Sequence, residues 1–171
     1  MRYQGKAWKF GDDIDTDLII PARFLTVSDV DVLARNCFAD VRPNFKDMVT
    51  PGDIIVAGRN FGSGSSREHA PLAIKGAGIS VIIAESFARI FYRNAFNIGL
   101  PIVESAEASR SLNEGTIISV DLSNGDIEDI ESGEQFSAKP LPAFMRQIIE
   151  AGGLVEYVKK GNTLPNDRQP T

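Results

Sequence analysis

The apolar positions of this chain fall into two regimes. From Asp53 to Val103, short unbroken apolar runs alternate with longer stretches of helical spacing. Asp53–Ala57 and Ile79–Ala84 are too continuous for strands with one wet face, so they predict strands covered on both sides. Between and after them, Arg67–Lys75 and Ser86–Ile98 read as helices. The first ends at Gly76 or Gly78; the second is closed by Gly99 and Pro101. Pro101–Val103 follows as a third short strand. Strand, helix, strand, helix, strand predicts parallel pairing through crossover connections.

Beyond Ala106 the pattern changes. Thr116–Leu122 and Asp126–Ile130 flank Ser123-Asn124-Gly125, and Asn-Gly is a strong hairpin signal. Gln135–Ser137, after the Ser132-Gly133 turn, extends an antiparallel meander. Pro142–Ala151 predicts a helix with Phe144, Ile148 and Ile149 on one face, broken by Gly152-Gly153 before a last turn or two over Leu154–Lys160. At the other end, Lys6–Phe10 reads as the first strand. Asp15–Pro21 reads as a loop becoming a short extended segment, because Pro21 keeps Ile20 out of helix. Ser28–Asn36 predicts a helix capped by Ser28, and Cys37–Thr50 a partly mobile loop. The expectation is one α/β domain with a mixed sheet over residues 1–160, and a flexible tail over 161–171.

Composition narrows the function. A length of 171 residues points to one domain, and 43% apolar residues suffice for an ordinary core. The net charge of −5, without a basic stretch, argues against nucleic acid. No window approaches the roughly 20 apolar residues of a membrane span, and the first residues lack the apolar run of a signal peptide. A single cysteine, Cys37, excludes an internal disulfide and a cluster held by several thiolates of this chain. It fits a reducing cytoplasm.

The chemistry concentrates in Arg59-Asn60-Phe61-Gly62-Ser63-Gly64-Ser65-Ser66-Arg67-Glu68-His69-Ala70, between a buried strand and a helix. Gly62 and Gly64 allow a tight turn close to a ligand. Ser65 and Ser66 offer hydroxyls, and Arg67 a planar fork suited to a carboxylate. A nucleotide phosphate loop would want Gly-Lys-Ser or Gly-Lys-Thr, which is absent here. The plainer alternative is a capping box, with Ser65 as cap and Glu68 three residues on; Pro71 complicates it by favouring a later helix start. His69, the only histidine, has no separate partners for a Ser-His-Asp set.

Asn60 to Ala70 resembles the signature loop of the aconitase-superfamily swivel domain. Asp15-Thr16-Asp17-Leu18-Ile19-Ile20-Pro21 resembles its N-terminal motif, and Glu85-Ser86-Phe87-Ala88-Arg89-Ile90-Phe91-Tyr92-Arg93-Asn94-Ala95 the strand-to-helix motif after the loop. The three occur in order, and the resemblance covers about residues 5 to 160. The resemblance implies a free-standing swivelling β/β/α domain acting as the small subunit of a two-chain hydro-lyase. It implies no metal or cofactor on this chain, and a large subunit carrying a [4Fe–4S] cluster. It implies a small hydroxy di- or tricarboxylate isomerised by dehydration and rehydration. Ser65 is then the catalytic base, and Ser66 and Arg67 bind substrate.

Phe24-Leu25-Thr26-Val27 falls where relatives carry a tyrosine-leucine pair followed by two specificity residues, so these four are expected to bind substrate. Thr26 and Val27 are uncharged, which favours 2- and 3-isopropylmalate, and hence leucine biosynthesis, over a substrate with an extra carboxylate. Small subunits acting on homocitrate or dimethylmalate, or a non-catalytic anion-binding module of the same fold, remain alternatives. Arg23, Arg35 and Arg42 are further candidates to reach the ligand. Asp15, Thr16 and Asp17 either orient the loop or close hydrogen bonds inside the domain.

Overall fold

The first strand decides the architecture. β1 (Arg2–Lys9) uses its two halves on different neighbours. Ala7, Trp8 and Lys9 pair in parallel with Ile54, Ile55 and Val56 of β2 (Ile54–Ala57), whereas Arg2 to Lys6 run antiparallel to Asp121 to Ile117 of β5 (Ile117–Asp121). With β3 (Val81–Ala84), β4 (Ile102–Glu104), β6 (Asp126–Asp129) and β7 (Gln135–Ser137), this makes one seven-stranded sheet in the order β4-β3-β2-β1-β5-β6-β7. The β4-to-β1 half is parallel and the β1-to-β7 half antiparallel, as the change of pattern near Ala106 predicts. Every residue of β2 and β3 is buried, as their unbroken apolar runs require. The computed structural model describes residues 1–164. The tail expected over 161–171 therefore lies, from residue 165 on, outside the described residues.

The helices are α1 (Thr16–Ile19), α2 (Val30–Arg35), α3 (Phe45–Met48), α4 (His69–Gly76), α5 (Arg89–Asn97), α6 (Ala106–Ser111), α7 (Ala143–Ala151) and α8 (Leu154–Lys159). Several differ from expectation, each for a local reason. Asp15 accepts from the Leu18 backbone N–H at 2.9 Å, and this cap closes a single helical turn where extended chain was expected. Ile20 is extended before Pro21, as anticipated. The cap of α2 is Asp29 rather than Ser28. The expected loop Cys37–Thr50 is folded onto the core: Cys37, Phe38 and Phe45 are buried, and α3 lies within it. Its rings pack on β1 and the residue after it: Phe38 stacks on Phe10 at 4.3 Å, and Phe45 meets Trp8 edge-on at 5.5 Å. Burying each such ring contributes roughly 1.5–3 kcal/mol, enough to hold a segment that has little regular structure. α6 was not foreseen; Ser105 caps it, and Ser109 donates to the Ala57 carbonyl.

Helix α4 begins at His69, two residues later than expected. Its cap position is Glu68, with no side-chain capping bond, so the Ser65–Glu68 capping box is not formed. Pro71 explains the start. It occupies the third helical position, where a backbone N–H would have no partner in the helix, so the missing donor costs little. α5 likewise begins at Arg89 rather than Ser86, because Phe61 holds Ser86 to Ala88 in extended chain, donating to the Ser86 carbonyl and accepting from the Ala88 N–H.

Candidate active site

The loop after β2 stands at the carboxyl end of the parallel strands, where crossover sheets commonly bind ligands. Two other segments clamp it. On one side Gly11–Thr16 runs alongside: Asp13 N–H donates to Arg59 O at 2.8 Å, Gly62 N–H to Ile14 O at 2.7 Å, and Thr16 N–H to Ser63 O at 2.9 Å. Side chains reinforce this: Asn60 Nδ2 donates to Asp13 at 3.1 Å, and Arg59 bonds Asp12 through both its backbone N–H (2.7 Å) and its guanidinium (3.2 Å). The Arg59 N–H, and then its guanidinium, hold the Asp12 carboxyl below the usual carboxylate range. On the other side Phe61 exchanges backbone bonds with Ser86 and Ala88, and its ring meets Phe87 and Phe91 at 6.0 and 5.3 Å. The three motifs thus form one assembly.

Gly62 has a backbone φ of +81° and lies against Phe91, leaving no room for a side chain. Gly64, at φ +92°, turns the chain outward. Ser65 and Ser66 are consequently exposed, and neither hydroxyl has a hydrogen-bond partner among the described residues. Arg67 behaves differently. Its side chain is 12% exposed and its Nη1 pairs with Asp17, on α1. Among the described residues only its Nη1 is engaged, and the rest of the guanidinium fork keeps its donors. Thr16, the residue beside Asp17, donates its hydroxyl to the Ser65 carbonyl at 3.0 Å. Both roles open to Asp15-Thr16-Asp17 are present: Thr16 and Asp17 hold the loop, and Asp15 closes a hydrogen bond inside the domain by capping the turn that carries them. Sequence could have flagged only that a hydroxyl lies between two acids there; the partner of Thr16 is 49 residues away and that of Asp17 is 50.

The other predicted residues lie beyond α1. Phe24 ends a 3-10 turn (Ala22–Phe24); it and Val27 pack on the core, while Leu25 and Thr26 are exposed. Among the described residues no hydrogen bond or ion pair joins Phe24–Val27 to Ser65–Arg67; α1 precedes the former in the chain and meets the latter through Thr16 and Asp17. Arg23 is held by both oxygens of Asp40 at 3.0 and 2.9 Å. Arg42 is a structural residue: it donates to Lys9 O at 2.8 Å, pairs with Glu114, and covers the Phe10 ring at 4.7 Å. Arg35 is exposed on α2.

A cleft of about 490 Å³ opens beside the base of the loop. Its cations already have partners: Arg59 pairs with Asp12, Arg110 lies 3.7 Å from Glu85, and Lys9 Nζ donates to the Ser109 and Leu112 carbonyls. Among the described residues, no three His, Cys, Asp or Glu side chains converge as metal ligands. Burial raises the Cys37 thiol pKa, which disfavours the thiolate a metal needs. No described helix is long and apolar enough to cross a membrane.

Known proteins show the same pattern. The model of the aconitase C-terminal domain matches residues 12–107. The 3-isopropylmalate dehydratase small subunit of Caldanaerobacter subterraneus subsp. tengcongensis is 60% identical over 157 residues, 92% of this chain and 98% of that one. The small subunit of the same name from Methanosarcina acetivorans is 54% identical over 92% of this chain and 96% of its own length. The crystal structure of 3-isopropylmalate dehydratase (leuD) from Methanocaldococcus jannaschii superimposes with a TM-score of 0.88 at 45% identity, covering 94% of this chain and 95% of that one. With its mixed sheet and all three motifs in place, the chain belongs to the 3-isopropylmalate dehydratase small-subunit family, in the aconitase C-terminal-domain fold.

Proposed function

We propose that this chain is the small subunit of a cytoplasmic hydro-lyase that interconverts 2- and 3-isopropylmalate, in leucine biosynthesis, and is inactive without its large subunit. Ser65 is the base, Ser66 and Arg67 bind a substrate carboxylate, and Phe24–Val27 contribute to substrate choice. Residues 1–160 work as one swivel domain. The observation that carries this reading is the contrast within one loop: the flanks of Ser65 and Ser66 are pinned on both sides, yet both hydroxyls face open solvent. A loop built only to start a helix would spend those hydroxyls on backbone N–H groups, and none is so used.

The chemistry follows from that arrangement. Ser65 takes the proton α to a carboxylate during dehydration and returns one on the other carbon during rehydration. A serine hydroxyl is a weak base in water, so its anion needs fixed positive charge and a covered site. Arg67, oriented by Asp17, supplies the charge; the large subunit supplies the cover, because Ser65 is exposed on this chain. A [4Fe–4S] cluster on that subunit would polarise the departing hydroxyl as a Lewis acid.

The preference for an isopropyl group over a further carboxylate draws support from Arg23. It is the only cation between Ala22 and Val27, and Asp40 already holds its fork. The test is to combine the chain with its large subunit and compare 2-isopropylmalate with homocitrate. Turnover of the former is expected, with a loss of about 10²–10⁴-fold in Ser65→Ala while the two chains still assemble. Retained turnover in that variant would refute the role of Ser65; preference for homocitrate would refute the substrate.

A further inference from the structure

We propose that Thr16 is a positioning residue whose buried hydroxyl sets where Ser65 stands during proton transfer. This rests on the reading of Ser65 as base and extends it to a residue that never touches substrate. Thr16 is 3% exposed, at the start of α1. It grips the loop on both sides of Gly64: its N–H donates to the Ser63 carbonyl at 2.9 Å, and its Oγ1 donates to the Ser65 carbonyl at 3.0 Å. Between these two bonds Gly64 turns at φ +92°, with the site of its missing Cβ in van der Waals contact with Thr16 Oγ1.

That side-chain bond is the only hydrogen bond made by Gly64, Ser65 or Ser66 among the described residues. Everything before Ser63 is zipped to neighbouring segments, and Arg67 onward is tied by Asp17 and α4. The stretch that carries the hydroxyls is therefore located by one donor. A threonine hydroxyl in a helix would ordinarily return to its own backbone. Here it is spent on a carbonyl 49 residues away, so it does nothing for α1 itself. Catalytic groups must be held to within about 0.5 Å, and a misplacement of about 1 Å costs on the order of 100-fold in rate. With that bond lost, no hydrogen bond within Gly64–Ser66 among the described residues resists a shift of that size.

The experiment compares Thr16→Val, Thr16→Ser and Ser65→Ala in the two-chain enzyme, with kcat expressed per assembled complex. Thr16→Val keeps the shape and removes the donor. It is expected to lower kcat about 10- to 100-fold and to leave KM within about threefold, while Thr16→Ser recovers most of the loss. A second readout needs no activity: backbone N–H order parameters from Gly64 to Ser66 should fall in Thr16→Val, with α4 and the strands unchanged. A normal kcat in Thr16→Val, with Ser65→Ala inactive, overturns the proposal and leaves the base standing. Activity in Ser65→Ala overturns the base itself. If Thr16→Val does not assemble, Thr16→Ala takes its place; failure of both assigns Thr16 a purely structural role and overturns the proposal.

Discussion

Replacing Gly62 by alanine tests whether the loop is held as tightly as its geometry demands. A Cβ built there lies 2.6 Å from Phe91 Cδ2 and closer still to its Cβ and Cγ, against a normal carbon–carbon separation of about 3.5–4.0 Å. Phe91 cannot easily retreat: it is 2% exposed and wedged between Phe61 and Phe87. The backbone adds its own penalty, because φ is +81°. A left-handed L-residue costs about 1–2 kcal/mol, and overpacking a tight site about 1–3 kcal/mol, so a loss near 3 kcal/mol is expected. For a chain of this length that is a fall in Tm of roughly 6–12 °C. Gly133→Ala is the internal control: φ there is +75°, and nothing lies within 4 Å. It incurs the backbone cost alone, and both variants share the small entropic gain of losing a glycine from the unfolded chain. Urea unfolding of the two variants, with m unchanged, isolates the difference, expected at about 1–3 kcal/mol. Equal losses would refute the close approach of Gly62 to Phe91, and with it the docking of the loop on α5.

Two further perturbations probe the supports of the site. Arg59 lowers the Asp12 carboxyl pKa, so the contact stabilises the fold above the unfolded carboxylate pKa of about 3.9 and is lost as pH falls through the lower folded value; the acid limb of a urea-midpoint against pH curve should be shallower in Asp12→Asn, and an identical limb would count against the pairing. Asp53 is buried and accepts from Lys6 N–H (3.1 Å), Trp8 Nε1 (2.9 Å) and Thr50 N–H (2.9 Å), so Asp53→Ala should cost about 3 kcal/mol or more by stranding three donors, and a loss under about 1 kcal/mol in chemical denaturation would contradict that accounting.

Much of this protein is written locally. The unbroken runs of β2 and β3, the Asn-Gly turn between β5 and β6, and the glycine break between α7 and α8 are each decided by residues within a few positions of one another, and all are present in the structure. The place of the candidate loop was also legible, because two glycines in a polar stretch between a buried strand and a helix mark a tight turn. What periodicity does not encode is which distant group completes a local one. Whether Ser65 caps a helix or faces solvent was undecidable until the start of α4 was known, and Pro71 sets that start through an N–H it lacks. Arg42 looked like a ligand-reaching cation and is instead spread over Phe10, because the Cys37–Thr50 segment packs down on β1. Thr16 and Asp17 meet Ser65 and Arg67 only once β1 and β2 pair in parallel and bring the carboxyl ends of the two strands side by side. Strand register creates that meeting, and register is a property of the folded sheet rather than of either segment alone.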